Sequence, residues 1–118
     1  MNKEFIFDED ERCVNPNRIE GGDKEFWFEI QTACKDGRWY HGHQYWTRGH
    51  HSEWEVYLNT ASRATETDAI CKEIDCLAAF LKADYNSRHS RFEVPEKVFR
   101  QLNDLKEKCK HPQMTLDL

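Results

Sequence analysis

Between Lys24 and Thr47 the chain alternates. Phe26, Phe28, Ile30 and Thr32 occupy every second position, the period that places side chains on one face of a β-strand. Asp36-Gly37 follows, and because both residues tolerate positive φ the dipeptide suits a two-residue hairpin turn. A hairpin closed there fixes the register. Cys34 faces Trp39, Thr32 faces His41, Ile30 faces His43, Phe28 faces Tyr45 and Phe26 faces Thr47, and these residues form the apolar face. The other face pairs Trp27 with Trp46, Glu29 with Gln44 and Ala33 with Tyr40, which reads as a solvated side with aromatic cross-strand pairs. Gly42 in mid-strand marks an expected bulge. A third strand is expected where Trp54, Val56 and Leu58 alternate with Glu55, Tyr57 and Asn59.

Beyond residue 60 the period becomes helical. Thr65-Glu66-Thr67-Asp68 reads as a capped helix start with acidic residues in its first turn. Ile70, Ile74, Leu77 and Leu81 then follow at helical spacing. After a polar connector, Pro95 sits where a second helix begins, and Val98, Leu102, Leu105 and Cys109 give that helix a narrow apolar stripe that Pro112 ends. A sheet with one apolar face needs a cover, and the helices supply it. The expected class is α+β: a three-stranded antiparallel sheet (β-β-β-α-α) with two helices packed on one face. Residues 1–25, acidic and rich in turn residues, read as a partly ordered N-terminal segment, 26–111 as a single α+β domain, and 112–118 as a tail.

At 118 residues the chain has room for one modest core. It lacks an apolar run of membrane-spanning length, and its first residues lack the basic start and apolar stretch of a signal peptide, so a cytoplasmic protein is expected. The five cysteines show no close pairing, which favours free thiols in a reducing compartment and disfavours a zinc ribbon. Net charge is −5, most of it in residues 1–25. Without a basic face, strong direct binding to duplex DNA is not expected.

The last six residues, Gln113-Met114-Thr115-Leu116-Asp117-Leu118, follow a helix-breaking proline and carry three apolar side chains with no evident core to join. The string resembles the hexapeptide motif by which bacterial replication and repair proteins bind the DNA sliding clamp: Gln, Leu or Met, a small polar residue, Leu, a free position, Leu. The resemblance covers these six residues alone and does not extend to the globular body. It implies the bacterial DNA sliding clamp as partner, with the Gln113 amide in one subsite, Leu116 and Leu118 in the main hydrophobic pocket and Met114 between them. Burying each apolar side chain yields about 1.5–3 kcal/mol, and ordering the tail costs about 1–2 kcal/mol per residue. Micromolar or weaker docking is the expectation. The function this implies is that of a small intracellular accessory or adaptor protein of bacterial, phage or mobile-element origin.

Three other constellations carry candidate chemistry. His41 and His43 share a strand face with Cys34, a weak set of metal ligands that reads better as hydrogen-bonded core histidines; a metal-dependent enzyme built on His41 and His43 is the corresponding alternative. Trp27, Tyr40 and Trp46, with Arg38 and Arg48 at the ends of the second strand, form an aromatic surface suited to stacking single-stranded bases or to anchoring a second protein partner. The run Asp8-Glu9-Asp10-Glu11 suits a phage-type inhibitor that imitates nucleic-acid phosphates toward a basic partner. No catalytic motif stands out, the carboxylates read as helix-surface groups, and no cofactor is expected.

Overall fold

Asp36 and Gly37 adopt φ of 53° and 79°, and the hairpin they close sets the frame for the rest of the chain. A computed structural model describes residues 3–47, 50–87 and 96–110. Its elements are β1 (Asn17–Gly22), β2 (Phe26–Lys35), β3 (Arg38–Thr47), β4 (His50–Trp54), α1 (Glu66–Ser87) and α2 (Glu96–Lys110). The architecture is α+β. The strands form one antiparallel sheet in the order β1-β2-β3-β4, so each strand pairs with the next in sequence.

The expected sheet of three strands is corrected to four. β1 lies within the segment read as a connector, where Asn17-Arg18-Ile19-Glu20-Gly21-Gly22 pairs along β2 from Asn17↔Thr32 to Gly22↔Trp27. Its alternation is weak because it is an edge strand: only Ile19 joins the core, while Arg18 and Glu20 stay exposed. The last strand also sits earlier than its apolar alternation suggests. Pairing with β3 runs from Thr47↔His50 to His43↔Trp54 and then stops. Val56 leaves the sheet for a small cluster with Cys13 and Ala33, against which Phe5, Phe7 and Tyr40 pack.

The β2–β3 register agrees with the expected one at every pair, Gly42 included, which pairs with Gln31. Gly42 therefore makes no bulge. Its role is close approach: a Cβ there would stand 2.2 Å from the Trp54 carbonyl oxygen and 2.8 Å from the Glu55 carbonyl carbon. The chain leaving β4 crosses directly over this residue, and only glycine leaves room.

Helices cover one face. Phe26, Phe28, Ile30 and Tyr45 from the sheet meet Ile70, Ile74, Leu77 and Leu81 of α1 and Val98 and Leu102 of α2 in one buried cluster. Thr65 caps α1, its hydroxyl accepting from the Asp68 amide at 3.1 Å. Glu66 ties that end to the sheet, accepting from Thr32 at 2.8 Å and Asn17 at 3.0 Å. Lys106 of α2 reaches Asp75 of α1 at 2.7 Å.

The second sheet face, read as solvated, is buried at its centre, where Glu29, Gln31, Ala33 and Gln44 are all below a tenth exposed. Glu29 makes this tolerable. One of its oxygens accepts from Arg18 at 2.8 Å, Gln31 at 2.7 Å and Gln44 at 2.8 Å, so the buried charge is paired and hydrogen-bonded.

Candidate functional site

β3 carries His41 and His43 on its helix-facing side, and α1 lays Glu73 across both of them. The Glu73 carboxylate bridges the rings, with one oxygen 2.6 Å from Nδ1 of His41 and the other bonded to Nδ1 of His43. All three are withdrawn from water: the side chains of Glu73, His43 and His41 are 4%, 3% and 10% exposed. Burial on its own raises the Glu73 carboxyl, but the hydrogen bonds and positive partial charges of the two imidazoles more than offset it, and its pKa lies below the ordinary carboxylate value. An ionised carboxylate only accepts, so each Nδ1 bears the hydrogen.

That assignment decides what the other ring edge presents. A neutral ring with its hydrogen on Nδ1 presents Nε2 as a lone-pair acceptor, and in both residues Nε2 is buried with no hydrogen-bond partner among the described residues. Both rings line a cavity of about 450 Å³ between the sheet edge and α1. Glu73, Lys72, Cys76 and Phe80 of α1 form one wall, and Trp54, Thr60, Ala61 and Arg63 form the other. Arg63 is fixed by paired backbone hydrogen bonds with Trp39 at 2.7 and 2.8 Å, yet its Nε is also buried without a partner. Trp54 and Phe80 remain 59% and 40% exposed, and Phe80 meets His43 edge-on with ring centroids 6.2 Å apart. Burial and the nearby Glu73 push the Cys76 thiol above its ordinary value, so it is not an activated nucleophile.

The reading of His41 and His43 as hydrogen-bonded core histidines holds for their inner edges only. Cys34 pairs with Trp39 and is not part of the cavity wall, so the proposed trio of His41, His43 and Cys34 does not converge. Among the described residues no group of three His, Cys, Asp or Glu side chains could hold a metal ion. The reading of carboxylates as helix-surface groups is corrected by Glu73. Its signal was a charged residue beside Ile74 and between Ile70 and Leu77, inside the apolar stripe of α1.

The candidate aromatic surface divides in two. Trp27 and Trp46 pack with ring centroids 4.2 Å apart and planes tilted by 45°, and His51 stacks on Trp46 at 4.5 Å. Tyr40 lies six positions along β3, roughly 20 Å away at strand rise, packed against the Cys13, Ala33 and Val56 cluster. Arg38 donates to the Ser62 hydroxyl at 3.0 Å and carbonyl at 3.1 Å. Arg48 lies outside the described residues, as do Gln113, Met114, Leu116 and Leu118. Within the acidic run, Asp8 folds inward, accepting from the Asp10 and Arg12 amides at 2.9 and 3.0 Å and pairing with the Arg12 side chain at 3.1 Å. No helix among the described residues is long and apolar enough to cross a membrane. No family model, curated protein or solved structure matches this chain.

Proposed function

We propose that this chain is a small intracellular accessory protein of a bacterial, phage or mobile-element replication system, docking on the DNA sliding clamp through Gln113, Met114, Leu116 and Leu118. The single observation behind it is the hexapeptide Gln113-Met114-Thr115-Leu116-Asp117-Leu118, which satisfies every constrained position of the clamp-binding pattern. Two residues separate it from the end of α2 at Lys110, so a docked tail would hold the α+β body close to the clamp. The acidic balance of the chain suits recruitment by a protein partner better than direct capture of duplex DNA.

The test is a titration of the full chain, and of its Gln113→Ala/Leu116→Ala variant, against purified clamp by fluorescence anisotropy. Saturable micromolar binding that weakens at least tenfold in the variant supports docking. Equal binding of the two proteins, or none of either, refutes it. A second reading is supported by the Trp27–Trp46–His51 cluster, whose central ring is 37% exposed: an inhibitor or protein-binding module anchored on that face. Under this reading Trp46→Ala abolishes association and the tail substitutions do not. For the metal-dependent alternative, no third protein ligand accompanies His41 and His43 among the described residues.

A further inference from the structure

The cavity above Glu73 presents three kinds of chemistry that one class of ligand combines. Its floor carries two buried imidazole Nε2 atoms with no hydrogen-bond partner among the described residues, its mouth offers the exposed rings of Trp54 and Phe80, and its wall offers the cations Arg63 and Lys72. A buried polar nitrogen without a partner costs about 1–3 kcal/mol, so two of them in residues that line one cavity favour a ligand that bonds to them. The volume falls in the ordinary range for small-molecule sites.

Each feature constrains the occupant. The Nε2 lone pairs ask for N–H or O–H donors. The exposed aromatic rings ask for a flat partner, since stacking on such faces is tolerant of which base is presented. Arg63 and Lys72 ask for an anion, and Glu73, the one carboxylate in the wall among the described residues, is already committed to both histidines. A carbohydrate would meet the donor and ring requirements but leave the cations unmatched. A metal ion would take the lone pairs but find no third protein ligand among the described residues.

We propose that this cavity binds a nucleotide unit, its base stacked on Trp54 and Phe80, its amino or imino hydrogens donated to Nε2 of His41 and His43, and its phosphate held by Arg63 and Lys72. Glu73 is the positioning residue. By holding both Nδ1 hydrogens it keeps both lone pairs turned to the base, an arrangement in which an outer partner sets the tautomer of a histidine. The site lies on a different part of the molecule from the Trp27–Trp46 pair, and it does not depend on clamp docking.

The same chemistry reaches the cavity from a free nucleotide or from a single strand, and two arms separate them. Nucleoside monophosphates and a short labelled single-stranded oligonucleotide are titrated against the full chain, with ribose 5-phosphate as the baseless control. Binding is measured by calorimetry for the small ligands and anisotropy for the oligonucleotide. Trp54→Ala and Arg63→Gln change rim and wall groups outside the main core, and circular dichroism confirms their fold. Saturable binding of monophosphates, absent with ribose 5-phosphate and weakened roughly tenfold by each substitution, supports a free nucleotide as ligand. Binding of the oligonucleotide alone with the same sensitivity supports a strand. Absence of binding to both at millimolar concentration overturns the proposal, as does binding that neither substitution changes.

Discussion

Replacing Glu73 by alanine and by glutamine separates its charge from its shape. Alanine leaves two buried Nδ1–H donors facing a void, and each buried donor left without a partner costs about 1–3 kcal/mol. Glutamine keeps one acceptor oxygen but turns an NH₂ toward the other ring. That histidine must then offer a lone pair at Nδ1 and move its hydrogen to Nε2, so the network stays closed with neutral bonds in place of charge-assisted ones, at about 1–2 kcal/mol. Glu73 is 3% exposed, so solvent screening does little to soften either figure. Urea denaturation monitored by tryptophan fluorescence reads the difference, with the alanine variant losing roughly 2–3 M in midpoint at a typical slope for a chain of this size. Long-range ¹H–¹⁵N spectra of the imidazoles at alkaline pH read the tautomers directly: both rings protonated at Nδ1 in the native protein, one switched in Glu73→Gln. A native ring protonated at Nε2, or an alanine variant destabilised by less than about 1 kcal/mol, refutes the account of the site.

Two further outcomes follow from local geometry. Gly42→Ala drives a Cβ into the Trp54 carbonyl oxygen, backbone that cannot rotate away, and costs about 1–3 kcal/mol in denaturation. At Gly37 an added Cβ meets nothing within 4 Å, so alanine there pays only the positive-φ strain of about 1–2 kcal/mol; equal fluorescence changes near Trp54 in the two variants would contradict the crossing of chains over Gly42. Asp23 accepts from the Lys97 side chain and from the Glu25 and Phe26 amides, which lower its pKa to about 2. A depressed carboxylate stabilises the fold above its ordinary value near 3.8, and that contribution is lost as pH falls toward about 2. A ¹³C titration of the carboxyl group checks this: the native midpoint sits near the lowered value and rises in Lys97→Met, and a native midpoint near 3.8 contradicts the pairing.

The hairpin was legible because its turn is local. Asp36-Gly37 leaves one way to align β2 with β3, and each pair from Phe26↔Thr47 to Lys35↔Arg38 follows. β1 was not legible, since its single core residue, Ile19, shows no periodicity, and it exists as a strand because β2 offers an unpaired edge. The end of β4 was misplaced because alternation continues through Val56 while pairing ends at Trp54, a consequence of tertiary crossing over Gly42 that no window of sequence contains. Of the candidate site, the histidines stood out by their spacing. Glu73 did not, because a carboxylate on a helix is usually solvated, and only the docking of α1 on β3 turns it inward.

The meander order of the strands sets how this molecule emerges during synthesis. All four strands precede α1, so a nascent chain can zip its hairpins from neighbouring residues, with little loop-closure entropy to overcome. Until the helices have been translated, however, Phe26, Phe28, Ile30 and Tyr45 form a bare apolar wall, and both histidines lack their carboxylate. A sheet formed ahead of its helices would be a greasy half-shell whose sealing awaits residues 66–110, and its safety would depend on how promptly they arrive.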